Sequence, residues 1–327
     1  MSTRQQILFF ILLFSCSLLI AQEPAVEKTK KDEAPKHHHI YFKPKLSVSF
    51  IDNRSVPGKT DGMYFKTDLD IVFNYKYIKT VHEFIVDLNI KEGISLTPMY
   101  DGFVIASDLA KLEIQYNYMI KKWLGYYIKA GLETHFFPGY DYQSEDTQYV
   151  VNGVRKTPAK KYKLTASGVP LSLSQGTGLL ARAVDNEFTR LEFNLGLAGR
   201  EVFVGDSLKL DDDGATDDRE LTSMSDVYEV GGELGARLKG ELEGKRVGYD
   251  IKAKLFMPFY HKQREDLGLS WADVLQFEGS AKVDFNINKY VAFNYEFTIK
   301  RDFAIIDAWQ ITNGLYLSLF YELTEKM

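Results

Sequence analysis

The histidines are the side chains of this sequence best suited to acid–base or metal chemistry, and they are few and scattered. His37–His39 are adjacent and could bind a transition metal, although three neighbouring histidines without a fixed geometry form a weak site. His135 shares an alternating polar register with Lys129 and Glu133, so it could act as the base of a hydrolase beside a nucleophile. A histidine in such a charged setting is more often structural. No G-x-S-x-G or H-E-x-x-H pattern is present, so the sequence predicts no cofactor and keeps a hydrolase only as an alternative.

A second candidate for chemistry is the acidic run DDDGATDDRE at 211–220. Asp211, Asp213 and Asp217 carry the hard oxygen ligands that Ca²⁺ prefers. Their spacing is not that of an EF-hand loop, and a run of like charges is usually a solvated loop. The sequence therefore favours a solvated loop and keeps the ion site as a weak alternative.

Most charged residues follow a different pattern, which the stretch KVDFNINKYVAFNYEFTIK at 282–300 illustrates. Charged or polar residues alternate with Val, Phe, Ile and Tyr on both sides of Asn288-Lys289-Tyr290. A period of two predicts β-strands with one polar and one apolar face, here joined as a hairpin. The same alternation recurs about twelve times, an even number as in bacterial membrane barrels. The predicted strands are 41–51, 63–77, 82–91, 109–120, 124–137, 176–184, 189–203, 227–241, 247–260, the two strands of 282–300, and 314–323.

Composition limits the class of protein that these strands can build. The chain has 327 residues, a net charge of −5 and 26% charged residues. It has a mean hydropathy of −0.22, and beyond the N-terminus no apolar run is long enough for a membrane-spanning helix. The negative net charge also gives no sign of the basic surface that nucleic-acid binding requires. Two β architectures remain: a soluble sandwich with the apolar face inside, or a membrane barrel with that face toward lipid.

Three features together favour the barrel. The predicted strands are longer than those of soluble sheets and match a tilted membrane strand of about 9–11 residues. Charged residues in the strands stay in the polar register, as a lipid-facing apolar surface requires. Short connections also alternate with long ones, which is typical of barrels with short periplasmic turns and long external loops. The short connections lie near 78–81, 121–123, 185–188, 242–246 and 288–290, and the long ones at 52–62, 92–108, 138–175, 204–226, 261–274 and 301–313.

The N-terminal segment predicts export. Arg4 precedes an apolar run that ends near Ala21, so residues 1–21 are interpreted as a cleaved signal peptide. Lipidation of Cys16, the only cysteine, is the less favoured alternative. Residues 22–40 are charged and poor in apolar side chains, which predicts a disordered periplasmic tail, and the barrel is assigned to 41–327.

The longest predicted loop, 138–175, contains its own turn signal. Asn152-Gly153 lies between two β-prone runs, which predicts a type I′ hairpin. The later stretch ASGVPLSLSQ is less polar, and one interpretation is that it folds inward and narrows the pore. An ordinary surface loop is the alternative.

The last strand, TNGLYLSLFYEL, resembles the C-terminal assembly signal of bacterial outer-membrane β-barrel proteins. Thr312 and Gly314 match the polar and glycine positions, and Leu317 and Leu319 match the spaced hydrophobic ones. The chain departs from the common pattern because it ends in TEKM rather than in an aromatic residue. The resemblance implies outer-membrane lipid and the barrel assembly machinery as partners. The strand and loop pattern predicts an all-β, antiparallel up-and-down transmembrane barrel, and because the pattern begins and ends on the short-turn side, both termini are expected in the periplasm.

The polar register then predicts which side chains line the barrel interior. Their charges are nearly balanced, so they could close the lumen through salt bridges or guide small solutes through it. The leading hypothesis is a narrow porin-like channel for small polar or charged solutes, and the alternatives are a closed anchor or adhesin and a barrel-embedded hydrolase. The predicted lumen residues are Lys66, Asp68, Asp70, Glu83, Asp87, Lys111, Glu113, Lys129, Glu133, Arg190, Glu192, Arg200, Glu229, Glu233, Arg237, Lys252, Lys254, Glu278, Lys282, Asp284, Glu296 and Lys300.

Overall fold

Nearly all of the described chain is β-strand or tight turn. The computed structural model describes residues 37–53, 62–96, 102–186, 188–211, 218–242, 246–261, 270, 274–302 and 306–326. The predicted signal peptide and most of the predicted tail therefore lie outside the described residues. The strands are β1 (His37–Asn53), β2 (Gly62–Lys79), β3 (His82–Leu96), β4 (Phe103–Lys121), β5 (Leu124–Thr134), β6 (Tyr140–Thr147), β7 (Tyr149–Val151), β8 (Val154–Arg155), β9 (Ala159–Lys163), β10 (Leu171–Asp185), β11 (Thr189–Phe203), β12 (Leu208–Leu210), β13 (Arg219–Ser223), β14 (Val227–Leu242), β15 (Val247–His261), β16 (Gln276–Asn286), β17 (Val291–Asp302), β18 (Ile306–Phe320) and β19 (Leu323–Lys326).

Twelve long strands form a closed antiparallel barrel. Their order around the wall is β1, β2, β3, β4, β5, β10, β11, β14, β15, β16, β17 and β18. The barrel closes where β18 pairs with β1, with Lys45 opposite Phe320 and Val48 opposite Leu317. The short strand β19 continues this seam and pairs with the beginning of β1, from His39 to Phe42. Closure leaves no unpaired sheet edge in the wall, as predicted for a barrel.

The connections at one end of the barrel are short in sequence, and those at the other end include two long excursions. The short connections join β2 to β3, β4 to β5, β10 to β11, β14 to β15 and β16 to β17. We call this the short-turn end and the opposite one the long-loop end. The excursions between β5 and β10 and between β11 and β14 pair with each other through the parallel strands β7 and β13. Buried Tyr149, Val151 and Leu221 form a small core between them.

The predicted hairpin in the first excursion is present. Asn152 and Gly153 both have positive φ, 48° and 78°, and they join β7 to β8. Those φ values suit the Asn-Gly pair of a type I′ turn, because glycine lacks the Cβ that makes this region costly. The turn is fixed further by Asn152, whose side chain accepts a hydrogen bond from the Ser223 amide at 3.0 Å.

Several boundary predictions were wrong, and three of them reassign a segment of the chain. β1 begins at His37 rather than at 41, because its first residues pair with both β2 and β19. β10 begins at Leu171, so residues 171–175 belong to the barrel wall rather than to a segment that enters the pore. β17 ends at Asp302 and β18 begins at Ile306, so most of the predicted loop 301–313 belongs to strands. In each case pairing with neighbouring strands extends a strand through a stretch whose own alternation is weak.

Candidate functional site

Charged side chains from strands that are not neighbours meet inside the barrel. The Lys91 ammonium on β3 lies 2.9 Å from the Glu296 carboxylate on β17, although β2, β1 and β18 separate these strands along the wall. Lys129 on β5 likewise pairs with Glu233 on β14, across β10 and β11. Only the interior of a closed sheet allows such contacts. The polar register of the strands therefore faces inward.

The first group of interior contacts lies toward the short-turn end. Arg182 on β10 donates to the Glu83 carboxylate on β3 at 2.8 Å through Nη1, and Nη2 contacts the second oxygen. Its Nε donates to Glu192 on β11 at 2.8 Å. Asn117 adds a 3.2 Å hydrogen bond to Glu83. The Arg182 and Glu83 side chains are only 5% and 8% exposed, so this group packs the interior rather than lining open space.

A second group lies toward the long-loop end. Arg200 on β11 donates to Asp302 on β17 at 2.5 and 3.0 Å, and its Nη2 lies 2.9 Å from Glu229 on β14. Glu229 also accepts a 2.7 Å hydrogen bond from Gln276 and lies 3.2 Å from the His261 ring. The Glu229 and Asp302 side chains are buried. These contacts tie together strands on different sides of the barrel.

Two further carboxylates organise the middle of the barrel. Glu296 lies 3.1 Å from the Lys45 ammonium, 2.9 Å from Lys91 and 3.8 Å from Lys282. Glu233 contacts Lys129 and lies 2.8 Å from Lys254. Charge-assisted hydrogen bonds of this kind are stronger than neutral ones when water is excluded. Glu296 thus contacts lysines from three other strands, and Glu233 contacts lysines from two.

The outer surface of the barrel has the opposite character. Leu195 and Leu315 project outward and are 61% and 63% exposed, and many other large apolar side chains of the wall are exposed with them. A continuous exposed apolar surface of this kind does not suit a water-soluble protein. Aromatic and histidine side chains lie along both ends of this apolar surface. They include His38 with Tyr75 and Tyr77 and His82 with Tyr116 and Tyr118 near the short turns, and Phe136, Phe137, Phe259 and Tyr260 near the long loops.

The chain is a membrane-type β-barrel. A closed wall satisfies its backbone hydrogen bonds internally, and an apolar belt between two aromatic girdles matches a lipid environment. None of the described residues forms a helix that is long and apolar enough to cross a membrane.

Solved structures with a similar arrangement of strands are outer-membrane barrels. An outer membrane channel from Pseudomonas putida F1 is 11% identical, with 92% of this chain and 100% of that chain covered and a TM-score of 0.38. The TodX monoaromatic hydrocarbon channel is 10% identical, with 90% of each chain covered and a TM-score of 0.35. The translocator domain of the autotransporter NalP from Neisseria meningitidis is 8% identical, with 97% and 95% covered and a TM-score of 0.34. At this level of similarity the roles of those proteins do not transfer to this barrel.

No protein-family model matches the sequence, and no curated protein matches it significantly.

One part of the interior remains open to water. Along β14 to β16 the inward side chains of Lys252, Lys282, Lys254 and Arg237 are 52%, 46%, 43% and 37% exposed. Glu278 is exposed among them and interacts electrostatically with several of the lysines. We call Arg237, Lys252, Lys254 and Lys282 the open basic patch. Its acidic partners Glu233 and Asp250 are less exposed, which leaves Glu278 as one exposed carboxylate beside four basic side chains, so the surface that this region offers to water is mainly basic.

The remaining predicted interior residues form smaller contacts. Their partners are Asp68 for Lys66, Lys45 for Asp70, Asn74 for Asp87, Glu133 for Lys111, Asp185 for Arg190, Lys43 for Asp284 and Asp302 for Lys300, and Glu113 acts on Lys111 electrostatically. Lys111 and Glu133 are each 40% exposed and face the interior from β4 and β5. They extend the accessible interior beyond the open basic patch.

Sequence reasoning missed several central residues. Lys45 and Lys91, both partners of Glu296, were not among the predicted interior residues, and neither were Arg182 and Asp302. Lys45 and Lys91 lie in the polar register of predicted strands, so a strict reading of that register would have included them. Arg182 belongs to the weakest predicted strand, where Gly176 and Gly178 interrupt the alternation.

The residues considered for catalysis or metal binding do not form a site among the described residues. The His135 ring contacts the backbone oxygen of Asp108 rather than a nucleophile. Asp211 accepts a 2.9 Å hydrogen bond from Thr222, and Asp213 and Asp217 lie outside the described residues. Within the described ranges no group of three His, Cys, Asp or Glu side chains could hold a metal ion.

The residues of the predicted assembly signal lie on β18. Leu317 and Leu319 project outward and are 47% and 56% exposed, whereas Gly314 pairs with Glu296 and faces inward. A Cβ at Gly314 would lie 2.4 Å from the Tyr316 hydroxyl, so the glycine makes room for that ring. Recognition of this strand by the assembly machinery stays a prediction.

Proposed function

We propose that this protein is a narrow passive channel of the bacterial outer membrane, and that it favours small anionic solutes. The open basic patch is the observation that carries the proposal. Its side chains are 37–52% exposed, whereas the charges around Arg182 and Arg200 are largely buried in ion pairs. A water-accessible basic surface in a low-dielectric enclosure concentrates anions near it.

The proposed orientation follows from the two ends of the barrel. The beginning of β1 and the end of β19 pair with each other at the short-turn end, so the described termini lie together there. Short turns on the periplasmic side and long loops outside are the rule for such barrels. We therefore propose that both described termini face the periplasm and that the sheet built around β7 and β13 is external.

A closed barrel that acts as an anchor or adhesin is the second candidate. Ion pairs that cross the interior near both ends, around Arg182 and around Arg200, favour it. The two proposals differ in one property, since a closed barrel passes no ions.

Conductance measurements on purified protein in planar bilayers distinguish the channel from the closed anchor. The channel proposal predicts discrete conductance steps and, in a KCl gradient, a reversal potential of the sign that indicates chloride preference. The preference should be roughly tenfold, at the low end of the local enrichment that a charged cleft produces. Absence of current, or a preference for potassium, would contradict the proposal, and absence of current would favour the anchor.

A further inference from the structure

The interior carboxylate with the most unusual surroundings is Glu296. Its Oε1 lies 3.1 Å from Lys45 and 3.8 Å from Lys282, and its Oε2 lies 2.9 Å from Lys91. The three lysines come from β1, β16 and β3, so a single carboxylate holds together distant parts of the wall. We call Lys45, Lys91 and Lys282 the three-lysine cluster.

The charge around Glu296 does not balance. The nearest further carboxylate is Asp70, 3.5 Å from Lys45. Asp284 and Asp68 also attract Lys45 and Lys91 electrostatically, and each of them has a lysine of its own, Lys43 and Lys66. Five ammonium groups therefore face four carboxylates. If the Glu296 carboxylate moved away, five positive charges would share three negative charges in a partly dehydrated interior, which favours capture of another anion.

The arrangement also specifies the shape of that anion. The two oxygens of Glu296 are contacted by different lysines, so the cluster holds a carboxylate by both of its oxygen atoms. Carboxylate and phosphate groups offer two or more separated oxygens, whereas chloride is a single sphere. Charge-assisted contacts to separate oxygens add geometric selectivity as well as binding energy.

The cluster is reachable from water on one side. Lys45 and Lys91 are 11% and 22% exposed, but Lys282 is 46% exposed and is the direct cross-strand neighbour of Glu296. Lys282 also belongs to the open basic patch. An anion drawn to that patch therefore meets the three-lysine cluster at its exposed edge.

We infer that the three-lysine cluster is a binding site for the carboxylate or phosphate group of a solute, and that Glu296 occupies it at rest. An oxyanion that arrives through the open basic patch exchanges with the Glu296 carboxylate on the lysines and leaves when that carboxylate returns. Glu296 is thus a tethered competing ion that keeps the site from holding solutes too tightly. This inference rests on the proposed channel function.

The variant that vacates the site is Glu296→Ala, and Glu278→Ala is its matched control. Glu278 is an exposed interior carboxylate on the adjacent strand β16, so its replacement removes the same charge without emptying the cluster. Currents are recorded in KCl before and after addition of acetate or inorganic phosphate. We expect Glu296→Ala to show a saturable reduction of chloride current by either oxyanion, with much weaker reduction in Glu278→Ala and in the parent protein. Comparing acetate with phosphate tells which group the site prefers.

A second measurement does not depend on current. An oxyanion that binds only the folded barrel raises its unfolding temperature by mass action. Acetate or phosphate should therefore raise the temperature at which folded Glu296→Ala barrel converts to the slower-migrating unfolded band on a gel. The effect should be lost in Glu296→Ala/Lys91→Met.

The outcomes separate the inference from the function on which it rests. If the parent protein shows no current in bilayers, the channel proposal is wrong. Stabilisation of the Glu296→Ala barrel by oxyanions would still support the binding site in that case. A chloride-selective parent whose Glu296→Ala variant shows neither oxyanion block nor oxyanion stabilisation overturns the site alone. Equal block of Glu296→Ala and Glu278→Ala also overturns it, because that result reflects general charge in the lumen.

Discussion

The interior around Arg182 and the interior beside β15 are both rich in charge, yet they differ in what the charges do. Around Arg182 a guanidinium reaches carboxylates on β3 and β11, and its side chain is 5% exposed. Beside β15 the Lys252 and Lys254 side chains are 52% and 43% exposed. Similar residue types therefore fasten the wall in one region and face water in the other. What differs is whether an opposite charge on a distant strand comes within reach.

The largest expected difference between the two regions is in stability. Arg182→Met leaves Glu83 buried without its main partner and should reduce the free energy of unfolding by about 3–5 kcal/mol. Arg237→Met is the control, because its bridge to Asp250 is 37% and 23% exposed and should contribute at most about 1 kcal/mol. Urea unfolding of the barrel in lipid vesicles measures both. Equal losses would mean that the two regions are not energetically different.

The next expected effect concerns the boundary between the interior and the lipid face. Leu195→Arg places a charge on the outward surface of β11 and should reduce stability by about 2–4 kcal/mol if it reaches the bilayer middle. Val154→Arg provides the control, because Val154 is 57% exposed in the β7–β8 hairpin, away from the barrel wall. We expect that change to stay within about 0.5 kcal/mol. Similar tolerance of both substitutions would contradict a lipid-facing outer surface.

The smallest expected effect on stability comes from the open basic patch. Lys252→Glu changes an exposed interior side chain and should alter the unfolding free energy by about 0.5 kcal/mol or less. It should nevertheless weaken the chloride preference in a KCl gradient, because it reverses one of the charges that attract anions. If a stably folded Lys252→Glu barrel kept the chloride preference of the parent protein, the open basic patch would not determine ion selectivity.

Much of the fold could be predicted because a period of two specifies which face of each strand is polar. That pattern placed Glu83, Glu233 and Glu296 in the polar register, and their contacts lie inside the barrel. The beginning of β18 was predicted too late because its alternation is weak. Trp309 and Ile311 project outward there, but the polar residues around them make the pattern unlike a strand, and only the pairing with β17 shows that it is one.

The partners of those charges could not be predicted from alternation. Whether Glu296 meets Lys91 depends on the number of strands between them, on the stagger of their registers and on the closure of β18 against β1. These are properties of the whole barrel rather than of any one strand. All four residues of the open basic patch were predicted to line the interior, but their exposure could not be predicted, since exposure within a lumen depends on what lies across it.

Current through a barrel with a single cysteine at position 252 tests the central claim most directly. Cys16 is the only natural cysteine, so Cys16→Ser with Lys252→Cys leaves one thiol in the chain. Ala253→Cys in the same background is the matched control, because Ala253 is the exposed neighbour in the opposite, lipid-facing register. A negatively charged thiol reagent should reduce the current of the Lys252→Cys barrel and leave that of the Ala253→Cys barrel unchanged. No current before the reagent, or no change at position 252 after it, would contradict a water-filled basic patch that solutes pass.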